Sequence, residues 1–214
     1  MITELDFKFT RPFGPMIAKV SMPIELVDKL NIYVDKIVSN KKKIKELDHG
    51  SKLAGNVQQE FKLEKEFITT SGWGTFLTNC ADVWLQKASN KKITKFQLLS
   101  SWIVRQYQND YNPIHTHGGH VSGVGYLKVP KILGEYSQKN KKLNKNGLLS
   151  LVHGSKMFLS ESTFNIEPKV GDFYFFPHYL MHTVYPFSDS NEERRSISFN
   201  ANIDADIYNV YSER

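Results

Sequence analysis

The sequence predicts a mainly β chain, a jelly roll with N-terminal helices packed on one of its sheets, and three observations carry that reading. Apolar residues recur at helical spacing in two stretches before residue 90. From residue 95 that spacing disappears, and eight short runs rich in β-branched and aromatic residues follow, separated by turn formers. A composition of 40% hydrophobic and 13% aromatic residues supplies a sizeable core, with no long polar tract to favour disorder. Two helices with one apolar face each need a sheet to lie on, and eight short strands can provide it. The 214 residues are read as one domain, with opening strands and supporting helices over 1–94, a jelly-roll core over 95–203 and a tail over 204–214.

In chain order, Leu5, Phe7 and Phe9 alternate with polar residues and 16–20 is a second apolar run, so two strands open the chain. Pro23 suits a first helical position, Glu25 sits where the helix dipole favours an acid, and Ile24, Val27, Leu30, Val34, Ile37 and Val38 form one stripe. This helix should end near Asn40, ahead of three lysines. Residues 41–70 give no decisive period, and 58–67 can be read as helix or as extended chain. Trp73, Phe76, Leu77, Cys80 and Trp84 recur at helical spacing and predict a second helix to about Ala88, its aromatic stripe belonging to the core. The strands that follow are expected at 96–108, 113–117, 121–129, 147–152, 163–166, 172–176, 182–185 and 195–203. The Lys- and Asn-rich segment 134–147 reads as a long plain connection near the barrel mouth.

Charge and cysteine content exclude several classes. The formal net charge of +6 comes from lysines clustered at 41–43, 91–92 and 139–145, which read as solvated loops without zinc-finger spacing or an RNA-binding aromatic motif. Cys80 is the only cysteine, so neither an intrachain disulfide nor a thiolate metal site can form, which favours a reducing compartment. Glu4 and Asp6 stand where a signal peptide would be basic, and nowhere are there the ~18 consecutive apolar residues of a membrane span. The expected location is cytoplasmic, with no membrane partner and no clear nucleic-acid motif.

The chemistry is expected from the histidines. If the chain is extended after Pro113, His115 and His117 share a face with α-carbons about 7 Å apart, and His182 from a distant strand would complete a triangle of metal ligands with one side open. His120, beyond Gly118 and Gly119, is a reserve ligand. His49 has no partner in the pattern, and His178, after Pro177, suits a surface or supporting role. On the last strand Arg194, Ser196, Ser198 and Asn200 share one face and Arg195, Ile197 and Phe199 the other. An arginine fork beside a serine hydroxyl suits a carboxylate held by two parallel charge-assisted bonds.

The order His115-x-His117, then Gly171-Asp172-Phe173-Tyr174-Phe175-Phe176-Pro177 before His182, then Arg194-x-Ser196 resembles the 2-oxoglutarate and Fe(II)-dependent oxygenases. It is more closely similar to a bacterial and phage branch, through Trp102, Ser122-Gly123-Val124-Gly125-Tyr126-Leu127, Phe176-Pro177 and Arg194-Arg195-Ser196-Ile197-Ser198-Phe199-Asn200. The resemblance covers about residues 96–203. It implies a double-stranded β-helix in which His115, His117 and His182 bind iron as the catalytic centre, while Arg194 and Ser196, with Tyr126 as a further contact, hold 2-oxoglutarate. His117 stands where most members of the family carry an acid, so the site would be one charge more positive. The implied reaction consumes O2 and 2-oxoglutarate, releases succinate and CO2, and hydroxylates a C–H bond of a small-molecule or polymer substrate that the sequence does not identify, nor does it show an oligomeric state.

Two rival readings remain at this level. A cupin-type metal enzyme shares the jelly roll, the His-x-His and a Gly-Asp…Pro…His segment, but usually adds a glutamate soon after His-x-His, where this chain has Gly118-Gly119-His120-Val121-Ser122-Gly123. A non-enzymatic jelly-roll binding module would leave the histidines incidental and bind no metal.

Overall fold

Residues 6–10, 14–136, 138 and 140–209 are described in a computed structural model. Glu4, Leu5, Lys139 and residues 210–214 of the tail, all used in the sequence reading, lie outside them. The chain opens with β1 (Phe7–Thr10) and β2 (Ile17–Ser21), then α1 (Ile24–Val38), which buries Leu26, Val27, Leu30, Tyr33, Val34 and Ile37. The first lysine cluster is helical rather than a loop. Asn40 caps α2 (Lys41–Leu47), its side chain accepting from the backbone N–H groups of Lys42 and Lys43 at 3.1 Å each. A 3-10 turn at Gly50–Lys52, β3 (Gln59–Lys62) and α3 (Lys65–Thr70) fill the stretch that had no clear period. The second expected helix is α4 (Trp73–Ser89), closed by Asn90 in the left-handed region at φ 58°.

The remaining strands are β4 (Phe96–Gln106), β5 (Asn112–His115), β6 (Val121–Lys128), β7 (Leu149–Val152), β8 (Thr163–Ile166), β9 (Asp172–Pro177), β10 (Met181–Val184) and β11 (Arg194–Ile203). A short α5 (Ala205–Tyr208) follows. β5 stops at His115, so the expectation that His115 and His117 share a strand face is corrected: His117 lies in the loop beyond the ladder. The strands form a seven-stranded sheet, β1-β2-β9-β6-β11-β4-β3, and a four-stranded sheet, β5-β10-β7-β8, with every pairing antiparallel. From β4 to β11 the chain passes back and forth between the sheets, which is the jelly roll.

Helices α1 and α4 cover the outer face of the larger sheet. Their apolar stripes join Phe173, Phe175, Ile197 and Phe199 in one buried cluster. Trp73 is fully buried against Phe76 and Phe173, with ring centroids 5.6 and 5.5 Å away, and its indole N–H donates to Ser101 Oγ at 3.0 Å. Ser101 in turn donates to the Ser198 carbonyl at 2.8 Å, so α4, β4 and β11 are tied by satisfied polar groups inside an apolar layer. The Phe173 ring takes the space a side chain at Gly125 would need, a Cβ there falling 2.2 Å from Cδ2. A smaller cluster of Tyr126, Leu149, Leu151, Ile166, Tyr174, Phe176 and Leu180 lies between the sheets.

An ion network fixes the face of β11. Arg195 points to the helix side, where it donates to Glu193 at 2.8 and 3.0 Å, to Asp35 of α1 at 2.7 Å and to Asn31 Oδ1 at 3.0 Å. Arg105 donates to Glu193 from the neighbouring strand at 2.7 Å. Burial alone would raise the Glu193 carboxyl, but the bonds from Arg195 and Arg105 outweigh it and hold it down to about 2. A depressed carboxyl contributes stability that is fully present above its ordinary value of 4.5 and is lost as pH falls toward about 2. Urea unfolding should therefore show stability declining across that window, with a shallower decline in Glu193→Gln; parallel pH profiles would contradict the assignment.

Candidate metal centre

The two strands that carry His115 and His182 are hydrogen-bonded neighbours, and these two residues are direct register partners. Their ring centroids are 4.2 Å apart. His115 Nδ1–H faces the Pro113 carbonyl at 2.7 Å and His182 Nδ1–H the Leu180 carbonyl at 2.8 Å, so both rings turn Nε2 toward the cavity. His117 comes in from its loop, with Nε2 3.0 Å from His182 Nε2. One possible ligand atom from each ring fits within 4.8 Å of the others, and among the described residues this is the one group of three or more His, Cys, Asp or Glu that could hold an ion.

Burial, then the nearby His182 and His115, pushes His117 down to about 2, and burial followed by His115 pushes His182 down to about 4. Burial also lowers His115, against the bond to Pro113. Three neutral imidazoles with convergent nitrogens are the donor set a divalent transition metal takes. Trp102 and Phe176 wall the site, their rings 5.5 Å from His117 and 5.1 Å from His182.

Outside the ladder, His117 needs another support, and His178 provides one. The His117 N–H donates to the His178 carbonyl at 3.0 Å, and His178 Nδ1–H donates back to the His117 carbonyl at 3.0 Å. His178 Nε2 pairs with the Tyr208 hydroxyl of α5 at 2.8 Å. His120 is not a reserve ligand: its Nδ1 accepts from the Ile203 N–H at 3.1 Å and its ring stacks on Tyr208 at 3.8 Å. The segment expected only as a tail thus braces the loop that carries His117. His49, without a partner in the sequence pattern, donates its backbone N–H to the Glu60 carbonyl at 3.0 Å and lies edge-on to Trp102.

The cavity beside the histidines has a volume of about 230 Å³. Arg194, Ser196, Ser198 and Asn200 of β11 line it, the face expected from strand alternation, while no described residue of the 134–147 connection is among its lining. Arg194 is 1% exposed, and its Nε and Nη1 have no hydrogen-bond partner among the described residues. Burial lowers its pKa, against the neighbouring Tyr126. Tyr126 lies with its ring 5.3 Å from the guanidinium and its hydroxyl also unpartnered, packed behind the wall rather than lining the cavity. Sequence reasoning missed Glu60, Gln106 and Asn112, which line the β3 side. The alternation of Glu60, Phe61, Lys62 and Leu63 was the available signal, but four residues are too few to outweigh a helical alternative.

Residues 100–200 match the family described as "Putative 2OG-Fe(II) oxygenase". No curated protein sequence matches the chain. Among solved structures, the chain is similar to a prolyl-4-hydroxylase from Pseudomonas putida, at 12% identity and a TM-score of 0.58, over 86% of this chain and 91% of that one. It is also similar to the viral collagen prolyl hydroxylase vCPH from Paramecium Bursaria Chlorella virus-1, in complex with 2OG, at 14% identity and a TM-score of 0.53, over 86% and 94% of the two chains. The non-heme alpha ketoglutarate dependent epimerase SnoN from nogalamycin biosynthesis follows at 12% identity and a TM-score of 0.56, over 86% and 76%. Likeness at these identities speaks for the fold, and it agrees with the family match over the barrel.

Removing the support of His117 has a measurable consequence. His178→Ala should weaken Mn(II) binding roughly 10–100-fold by titration, as loss of a group that orients a metal ligand does. Tyr208→Phe should weaken it less, and unaltered affinity in His178→Ala would show that the loop holds itself.

Proposed function

We propose that this chain, whose barrel residues 100–200 match the 2OG-Fe(II) oxygenase family, hydroxylates a C–H bond of its substrate while converting 2-oxoglutarate to succinate and CO2. The observation that carries the reading is Arg194, a buried guanidinium with unpartnered nitrogens on the wall of the cavity that also holds the three histidines. A buried charge without a partner is costly unless a ligand supplies the opposite one. A dicarboxylate with a keto acid at one end fits both ends of such a cavity. His115, His117 and His182 would hold iron, Arg194 would take the distal carboxylate by a charge-assisted bond, and the Ser196 hydroxyl would donate beside it. The unpartnered Tyr126 hydroxyl adds a donor behind the guanidinium.

Bound there, iron with O2 and 2-oxoglutarate supplies the oxidative decarboxylation and the transfer of oxygen to carbon. The protein contributes placement and exclusion of water. Val124, Leu149, Phe176 and Val184 give the cavity an apolar wall, and no side chain is required as a nucleophile. Neutral histidines contribute no negative charge, so the dianionic cosubstrate offsets the metal. Glu60 does not restore the missing acid, because the ligand-forming group comprises the three histidines alone among the described residues. A reducing cytoplasmic setting is consistent with a single cysteine, buried and pushed up to about 12 by that burial. No helix among the described residues is long and apolar enough to cross a membrane.

His182→Ala should abolish binding of Fe(II) or Mn(II) by metal analysis. Arg194→Ala should keep the metal and weaken 2-oxoglutarate by about 2–5 kcal/mol in a calorimetric titration, as truncating one partner of a buried charge pair does; unaltered cosubstrate affinity would remove that residue from the site. For the metal-loaded protein, 2-oxoglutarate at a hundred times its dissociation constant should add ~2.7 kcal/mol of stability. Succinate formed only when 2-oxoglutarate is present separates this reading from a cupin-type enzyme, and the absence of any metal would favour a binding module.

A further inference from the structure

We propose that Glu60 is the substrate-recognition residue of this cavity and that the substrate presents to it a cationic group on an aliphatic stem, an alkylammonium or an alkylguanidinium. The proposal rests on the oxygenase reading only in calling the occupant a substrate. Glu60 is the sole acidic side chain lining the cavity among the described residues, and it is 3% exposed. No salt bridge among the described residues includes it.

Its surroundings hold the carboxyl group in place and offer it no counter-charge. Gln106 Nε2 donates to Asn112 Oδ1 at 3.0 Å, which fixes that amide and leaves its Nδ2 to donate to Glu60. The loop before β3 closes over the pair: a Cβ on Gly55 would fall 2.7 Å from both Asn112 Nδ2 and Glu60 Oε1. With a neutral amide on one side and backbone on another, the cavity is the direction from which a counter-charge can arrive.

The nearby titratable groups do not supply that charge. Asp48 is itself acidic and adds repulsion. His49 is kept neutral, lowered by burial and then by Lys62. Lys52 at the cavity rim and Lys62 on the same strand are exposed and form no ion pair with Glu60. Burial therefore raises the carboxyl to about 7, against the bond from Asn112 and with Asp48 adding to it. An arriving cation would reverse this.

The rest of the lining sets the shape of the cation. Val104 is the register partner of Glu60 and Trp102 lies two residues along the same strand, giving apolar contact for methylene groups and an indole for the charged head, with Leu53 also in the lining. The remaining buried charge of the cavity, Arg194, is of the sign that repels the head, so the two ends are electrostatically distinct. One end is built for a carboxylate and the β3 side for a cation.

The test titrates Mn(II)-loaded protein, with and without 2-oxoglutarate and under argon, with agmatine, cadaverine, 1-pentanol and hexanoate. Agmatine and cadaverine should bind at least tenfold tighter than the neutral and anionic probes. Glu60→Gln should erase that preference, whereas Glu60→Asp, which keeps the charge, should retain part of it; circular dichroism melting establishes that each variant is folded. Equal affinity for the four probes, or an undiminished preference in a folded Glu60→Gln, overturns the proposal. Failure of the oxygenase reading shows elsewhere, as a missing stability gain from 2-oxoglutarate, whatever the amines do.

Discussion

Arg194 is carried into the barrel because Arg195 is clamped outside it, and the arrangement of the site depends on that single-residue alternation along β11. Glu193, Asp35 and Asn31 take Arg195 on the helix side, joining β11 to α1 across the outer face of the larger sheet. With side chains alternating at every residue, Arg194, Ser196, Ser198 and Asn200 must then face inward. A slip of one position would send Ile197 and Phe199 into a polar cavity and leave both arginines on the wrong side. The outer ion network therefore specifies the interior, although none of its members other than β11 itself reaches the cavity.

The histidines are supported unequally. Two are register partners on adjacent strands, so backbone hydrogen bonds set their separation before any metal arrives. The third depends on one backbone bond and one side-chain bond to His178 and, through that ring, on a tyrosine near the end of the described chain. The histidine in place of the expected acid is thus the one held by loop contacts rather than by the ladder. A histidine there keeps a nitrogen donor but removes a charge, which places more of the electrostatic balance on the bound dianion.

The cavity lining carries two buried groups of opposite sign, Arg194 on β11 and Glu60 on β3. Arg194 and Glu60 are both buried, and neither forms an ion pair among the described residues. Within one small cavity, two such groups would be expensive if their only role were stability, since either could be replaced by an apolar residue at a gain. An occupant of opposite charge at each would offset that cost.

Local pattern was enough for much of this protein. The two long helices follow from apolar spacing because each buries one stripe, 163–166 was read with the bounds it has, and strand alternation alone divided 194–200 into its two faces. The His-x-His and the later histidine were also legible as a set. What the sequence could not decide were properties that depend on distant partners: that β5 ends before His117, that His120 and Tyr208 stack on one another, and that an edge strand as short as β3 brings Glu60 to the cavity. Periodicity reports which face of an element is buried; only the pairing of strands far apart in the chain determines what that face meets.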